Sequence, residues 1–274
     1  MQWSSSHPSF VAHNVDFFRD RMEKATPQPC PAIDPTGTND DAIPQPLDPQ
    51  ELDTDQQRAF DLVVNLGLSV IVHGLPGTGK SKLARTIIAR VHNIRSVFVL
   101  SAMGIVANGL GYSRNSSMQS FMGWQDDNDT VADCAKRVIR NETKRANMCA
   151  RDLLVIIDEI STASAELLEL FCGVCREVRA SDHPCGGVQL CMLGDFGQTG
   201  PVSSDDKPIR FAFQSEKWKQ LAPKTIVLKK NYSNGTTRTT APMRQATNGY
   251  RRLRPERQSN ASHGRHPTRQ APKK

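Results

Sequence analysis

Short apolar runs rich in β-branched residues alternate with segments of helical period in the middle of the chain. Five runs predict strands: Ser69–His73, Ser96–Ser101, Leu153–Ile157, Val188–Leu193 and Thr225–Leu228. Between the first two, Leu83, Ile87 and Val91 recur every four residues, which predicts a helix that begins at Gly79. Apolar residues between Leu167 and Val178 predict a helix after the third strand. This alternation predicts an α/β fold, with a parallel sheet and helices on both faces.

The two ends of the chain differ from this middle part. Seven prolines fall between positions 27 and 49, in a composition that sustains neither a helix nor a central strand. We therefore expect residues 1–50 to be an N-terminal extension with a Pro-rich linker, and residues 51–232 to be the folded domain. Apolar residues become sparse after Tyr232, so we expect residues 233–274 to form a disordered tail.

Length, cysteines and charge narrow the class of protein. No apolar run in the 274 residues approaches the roughly 18 needed to span a bilayer, and the N-terminus lacks the pattern of a signal peptide. Seven cysteines, an odd number scattered through apolar segments, indicate reduced thiols in an intracellular protein. The net charge is +7, but residues 233–274 alone carry +9. The basic character therefore belongs to the tail, and residues 1–232 carry a net −2.

The segment Gly74–Ser81 matches the phosphate-binding pattern G-x-x-x-x-G-K-[ST] between a predicted strand and a predicted helix. In this pattern the glycines let backbone N–H groups surround the phosphates at a helix N-terminus. The nucleotide-binding residues are thus predicted to be Gly74, Gly77, Thr78, Gly79, Lys80 and Ser81. Lys80 would reach the β- and γ-phosphates, and the Ser81 hydroxyl would ligate Mg²⁺.

Two carboxylates, Asp158 and Glu159, follow the third predicted strand. Open α/β sheets bind ligands at the carboxyl ends of their strands, where the phosphate loop also lies. We expect Asp158 to hold Mg²⁺, directly or through water, and Glu159 to polarise the attacking water. The fourth strand ends in Gly194–Gln198 at the same edge. Spacing alone leaves two interpretations of that segment, a polar pair that senses the γ-phosphate and an ordinary Gly-Asp turn.

Together these segments resemble the first RecA-like domain of the Pif-type DNA helicases of superfamily 1, relatives of RecD. The resemblance rests on Gly74–Ser81, Asp158–Ser161, Gly194–Gln198 and Phe211–Trp218, and it extends from about Leu52 to Tyr232. It implies ATP and Mg²⁺ as cofactors and residues 112–150 as a small insertion. It also implies that Gln56, within a segment similar to the family's Q motif, reads the adenine, and that Gln198 senses the γ-phosphate. The alternative for Gln56 is an exposed side chain at a helix N-terminus.

Two segments resemble the family's contacts to single-stranded DNA, and both depart from its pattern. In Ser101–Ala107, Met103 stands where the family has threonine, and in Ser117–Phe121, Ser117 and Gln119 replace threonine and histidine. Serine and glutamine can still donate hydrogen bonds to phosphates. Phe121 and Trp124 suit either stacking on bases or burial against the sheet.

The resemblance implies an ATP-dependent DNA helicase that moves 5′ to 3′ on single strands, acts in genome maintenance, and resides in the nucleus or mitochondria. No second RecA-like domain is recognisable after Tyr232, so we expect the ATP-binding half of the motor. Residues 233–274 then have two interpretations, a truncated or frame-shifted end and a basic arm that binds nucleic acid. Two other functions remain open, a nucleotide-dependent single-strand-binding module without unwinding activity and a P-loop ATPase that acts on protein.

A few other residues suggest chemistry but have simpler interpretations. Cys172, Cys175, Cys185 and Cys191 superficially resemble a zinc site, but small thiols are also common within apolar cores, which we favour here. His73 is interpreted as a residue that fills the end of its strand. Sequence leaves the oligomeric state unknown.

Overall fold

A single parallel sheet organises the part of the chain that the computed structural model describes, residues 51–102, 110–201, 210–221 and 224–232. Its strands are β1 (Val70–Gly74), β2 (Val97–Ser101), β3 (Asn115–Ser117), β4 (Leu154–Asp158), β5 (Gln189–Gly194) and β6 (Lys224–Leu228). They lie in the order β3-β2-β4-β5-β1-β6, and every pairing is parallel. The predicted α/β fold is therefore confirmed, as are its five strands to within one residue at each end.

Seven α-helices connect or flank the strands in these described residues. They are α1 (Thr54–Phe60), α2 (Lys80–Val91), α3 (Met118–Met122), α4 (Val131–Arg140), α5 (Glu142–Cys149), α6 (Ala165–Val178) and α7 (Trp218–Leu221). A π-helical segment, Asp61–Asn65, follows α1, and 3-10 turns lie at Ile160–Thr162, Pro184–Gly187 and Ala212–Gln214. Both helices predicted from apolar spacing are present. None of the helices described has the length and apolar character that crossing a membrane requires.

Alternate residues along the strands separate two cores, because successive side chains of a strand point to opposite faces. On one face Val70 and Val72 pack with buried residues of α1 and α2, among them Phe60 and Leu83. On the other face Ile71 packs with residues from α3 to α7. The region expected to be an insertion, residues 112–150, contributes α3, α4 and α5 to this second core.

The boundaries expected at residues 50 and 233 remain predictions, since residues 1–50 and 233–274 lie outside the described part. The third strand, β3, was absent from the sequence prediction. Its residues are Asn-Ser-Ser, without apolar alternation, and the strand exists through its pairing with Val99–Ser101. The last residues of β1, β4 and β5 lie side by side, and this edge carries the functional segments.

Candidate nucleotide-binding site

The phosphate-binding segment forms a tight loop between β1 and α2. Gly79 precedes α2 with φ of +83°, a left-handed conformation that favours glycine. The ammonium of Lys80 points into the loop, where Nζ donates hydrogen bonds to the carbonyls of Gly74 at 2.6 Å and Leu75 at 3.2 Å. Burial lowers the pKa of Lys80, while the nearby carboxylates, Asp195 foremost, oppose that shift.

Gln56, in α1, stabilises this loop by a side-chain hydrogen bond. Its side chain is completely buried, and Nε2 donates a hydrogen bond to the Thr78 carbonyl at 3.0 Å. The opposite end of the same amide accepts a hydrogen bond from the Asp53 backbone N–H at 3.1 Å, which completes a capping box at the start of α1. A Cβ at Gly79 would lie 2.3 Å from Gln56 Nε2. The position of the Gln56 side chain therefore requires glycine at residue 79. The alternative of an exposed Gln56 is wrong; whether Gln56 also reads adenine stays a prediction.

The two predicted carboxylates lie at the end of β4. Asp158 is partly buried, and its Oδ1 accepts a hydrogen bond from the Glu159 N–H at 3.0 Å. Burial raises the pKa of Asp158, and the charge of Glu159 adds to that effect. Glu159 has φ of +51°, an unusual conformation for a residue with a side chain, and it is exposed. Backbone strain of this kind costs about 1–3 kcal/mol and clusters at functional sites.

Asp195 organises the segment that follows β5. It is only 4% exposed, and its carboxylate accepts hydrogen bonds from the Gly197 N–H at 2.9 Å and from Gln198 Nε2 at 2.8 Å. The Gln198 N–H also donates to the Asp195 carbonyl at 3.1 Å. A Gly-Asp turn therefore does form, and it presents an exposed Gln198 at the functional edge; a γ-phosphate-sensing role for Gln198 stays a prediction.

These segments surround one cleft of about 510 Å³, a size typical of ligand sites. Its lining comprises Pro76, Gly77, Gly79, Lys80, Ser81, Asp158, Glu159, Ser161, Thr162, Gly194, Asp195, Gln198, Thr199 and Tyr232. Seven predicted site residues thus share one surface, whereas Gln56, Gly74 and Thr78 contribute from outside this lining. A slightly larger depression of about 580 Å³ lies against α1, but it is away from the phosphate loop and its carboxylates, so we assign the site to the first cleft.

The end of the described chain closes one side of the loop, which sequence reasoning missed. The Tyr232 N–H donates to the Gly77 carbonyl at 2.8 Å, and the Asn231 side chain donates to the Pro76 carbonyl at 3.0 Å. The Tyr232 hydroxyl donates to Asp53 at 2.7 Å; burial and this carboxylate raise the pKa of Tyr232 to about 12. Tyr232 and Asp53 are 179 residues apart, and no local pattern signals their contact.

The segments expected to contact DNA are only partly described. Met103 lies outside the described residues. Ser117 caps α3 by accepting a hydrogen bond from the Ser120 N–H, and Gln119 Nε2 donates to the Ala102 carbonyl at 3.0 Å. Phe121 is buried against Phe98 and Phe171, so burial is the right interpretation for that ring, and Trp124 is partly buried against the same core.

The four cysteines considered for zinc do not come together. Cys172, Cys175 and Cys185 interact within the core on the α6 side of the sheet, whereas Cys191 belongs to the opposite core. No group of three or more candidate ligands suited to a metal ion occurs among the described residues. Within this part of the chain, apolar packing accounts for the cysteines better than zinc does.

Comparison with known proteins relates this geometry to a family. The chain is 33% identical over 187 residues to the ATP-dependent DNA helicase RRM3 of Saccharomyces cerevisiae, an alignment that covers 66% of this chain and 25% of RRM3. The crystal structure of Pif1 helicase from Candida albicans matches with a TM-score of 0.60 and 31% identity, over 66% of this chain and 40% of that one. A Bacteroides sp Pif1 complex with ADP-AlF4 matches with a TM-score of 0.54 and 25% identity, over 65% and 41%.

The chain thus spans about a quarter of the length of the yeast relative. The family model of the PIF1-like helicases matches residues 51–253, which is most of the chain. The match continues past Tyr232, where we expected the resemblance to end. This match includes the phosphate loop, both carboxylates and the Asp195 turn. The protein belongs to the PIF1-like helicase family.

Proposed function

We propose that this chain supplies the ATP-binding domain of an ATP-dependent DNA helicase. The observation that carries the proposal is the convergence of Lys80, Asp158, Glu159 and Gln198 on one cleft at the carboxyl edge of the sheet. A cation, two carboxylates and an amide around a phosphate-binding loop are the groups that ATP hydrolysis requires. The family match and the similarity to proteins named as DNA helicases support the same function.

ATP would bind with its phosphates against the N–H groups of Gly77–Ser81. Lys80 would exchange its contacts with the loop carbonyls for contacts with the β- and γ-phosphates. The residues also fit Mg²⁺, because Ser81 and Asp158 both line the cleft. Hydroxyl and carboxylate oxygens are ligands that Mg²⁺ prefers. Burial raises the pKa of Asp158, and the charge of Glu159 adds to this effect; a bound cation would favour the ionised form of Asp158. When bound, Mg²⁺ supplies compensation for the phosphate charges.

The remaining groups have separate roles in this proposal. Glu159 orients and polarises the attacking water from its exposed position above β4. Gln198 contacts the γ-phosphate, and the hydrogen bond to Asp195 fixes its direction. Gln56 contacts the adenine and also holds the loop through Thr78. Two different requirements, base recognition and loop geometry, would then meet in one buried amide.

We further propose single-stranded DNA as the track, with 5′-to-3′ movement, a role in genome maintenance, and an intracellular site of action in the nucleus or mitochondria. Family membership supports these features. A motor of this class closes two domains on ATP, so residues 51–232 would act together with a second RecA-like domain. The similarity to named DNA helicases favours this function over a non-unwinding binding module or a protein-directed ATPase.

The test is ATP binding and Mg²⁺-dependent hydrolysis by the full chain, with and without single-stranded DNA. We expect Lys80→Ala to lose ATP binding, and Glu159→Gln to bind ATP but to lose turnover. Lys82→Ala is the matched control, because Lys82 lies two residues further along α2 and its side chain contacts only Glu51 among the interactions described for it. Equal ATP binding by wild type and Lys80→Ala would contradict the proposed site. Hydrolysis that DNA leaves unchanged would contradict the DNA-dependent function.

A further inference from the structure

His73 occupies a position in β1 that strand formation alone does not explain. It pairs in register with Gly194 of β5, and its ring stacks on Phe196 with 6.1 Å between centroids and an angle of 19°. The three preceding residues of β1, Val70 to Val72, are apolar and buried. His73 Nδ1 is also buried, and it has no hydrogen-bond partner among the described residues. An apolar residue would fill this place without an unsatisfied nitrogen, which suggests a use for the ring beyond filling space.

Charged groups of the nucleotide site face this ring from two elements. Asp195 follows β5, and Lys80 begins α2. Burial lowers the pKa of His73 and Lys80 lowers it further, against the opposing effect of Asp195 and the Gly194 backbone. The lowered pKa of His73 favours the neutral ring, which suits an aromatic packing role.

Phe196 connects His73 to a segment with no assigned role, Phe211–Trp218. Its ring meets Phe213 edge-on, with centroids 5.3 Å apart, and Trp218 in the same manner at 5.8 Å. Phe196 is 5% exposed, so these contacts are part of the packed interior. Rings in such an arrangement prefer defined mutual orientations, and a shift of one ring displaces the others.

The same residue belongs to the Asp195 turn that carries Gln198. Phe196 immediately follows Asp195 and precedes Gln198 by two positions, so displacement of its ring alters the direction of the turn. At the other end, His73 is bonded to Gly74, whose carbonyl accepts a hydrogen bond from Lys80. Withdrawal of Lys80 toward a phosphate would release that carbonyl. A continuous path thus leads from the phosphate loop to Gln198.

We propose that His73 is a positioning residue for ATP hydrolysis, which connects the phosphate loop to the Gln198 turn through its stacking contact with Phe196. This inference rests on the proposed function of the cleft. It assigns His73 no contact with substrate. Its loss should therefore reduce turnover while ATP binding is retained.

The first experiment compares hydrolysis by His73→Val, which removes the ring, with His73→Phe, which keeps a ring able to stack. His92→Val is the matched control, since His92 lies at the end of α2, away from the cleft. We expect His73→Val to lower kcat about tenfold with KM for ATP within about twofold, because small misplacements strongly reduce catalytic rates. His73→Phe should restore most of the rate. If His73→Val does not fold, Phe196→Leu tests the other side of the stack, with the same split expected.

A second measurement needs no turnover. Trp3→Phe and Trp124→Phe leave Trp218 as the single tryptophan of the chain, which excitation at 295 nm selects over the tyrosines. In this background ATP should change the Trp218 emission. The change should disappear when His73→Val is added and return when His73→Phe is added instead. The background protein and both His73 variants should bind ATP. Equal emission changes, or an unchanged kcat in both His73→Val and Phe196→Leu, would overturn the role of His73 but leave the ATP site intact. Absence of ATP binding by wild type would instead refute the proposed function and this inference with it.

Discussion

Replacement of Gln56 by alanine should destabilise the domain far more than the same replacement at its neighbour Gln57. Gln56 is fully buried and makes two side-chain hydrogen bonds, to the Thr78 carbonyl and from the Asp53 N–H. Gln57 is partly buried and makes one side-chain contact, to Asp61 within its own helical segment. Gln56→Ala therefore removes a long-range contact, whereas Gln57→Ala removes only a local one, and both residues lie in α1.

The magnitude follows from the two contacts. A buried carbonyl that loses its partner costs about 1–3 kcal/mol. Loss of half a capping box adds about 0.5–1 kcal/mol. We therefore expect Gln56→Ala to lower the free energy of unfolding by roughly 2–4 kcal/mol, and Gln57→Ala by less than about 0.5 kcal/mol.

Thermal and urea denaturation of the full chain would measure the difference. At about 2–4 °C per kcal/mol for a domain of this size, Gln56→Ala should lower Tm by roughly 5–15 °C. Equal Tm values for the two variants would refute the idea that Gln56 braces the phosphate loop. If Gln56→Ala changed only the preference between ATP and GTP, Gln56 would act solely in base recognition.

Two further changes test contacts around the same loop. Tyr232→Phe should remove a tyrosine ionisation near pH 12 from the ultraviolet titration. The folded pKa of Tyr232 lies above the ordinary value of about 10. The Tyr232 contact therefore stabilises the fold below pH 10, and this contribution is lost as pH rises toward 12. Loss of an ionisation near pH 10 instead of near pH 12 would contradict the Asp53 contact. Gly194→Ala should lower stability by about 1–3 kcal/mol in urea denaturation, since its Cβ would lie 3.0 Å from Ile160 Cγ2 and 3.1 Å from the Ser161 nitrogen. Gly197→Ala is the control, because its Cβ would meet only the Asp195 carboxylate at 3.2 Å, and equal losses would argue against a crowded junction at Gly194.

Local sequence predicted the strands with apolar runs, the edge strand β6 among them, but not the polar edge strand β3. Apolar runs such as Leu154–Ile157 have no other stable place than the interior of a sheet. Asn115–Ser117 is polar and three residues long, and it becomes a strand only because β2 offers it a partner. Its conformation depends on a distant element, which no local window contains.

The same distinction applies to the site. The phosphate loop and the Asp-Glu pair were predictable because each is a contiguous segment whose chemistry depends on local order and on its place after a strand. The burial of Gln56 depends on Thr78, 22 residues away, and the contact of His73 with Phe196 depends on the register of β1 with β5. Neither composition nor the spacing of residues along the chain predicts contacts of this kind.

The hydrogen bonds of Lys80 to its own loop have a consequence for exchange of the nucleotide. Two carbonyl dipoles solvate the ammonium internally, so it is not a bare buried charge. In the proposed function, ATP binding would then be a substitution reaction, in which phosphate oxygens displace ligands that the protein already provides. Part of the attraction between cation and phosphate is cancelled by the contacts that are lost, so affinity is moderated. When the product leaves in the proposed cycle, the same two carbonyls would again accept hydrogen bonds from the ammonium, so release would not leave a buried charge without partners.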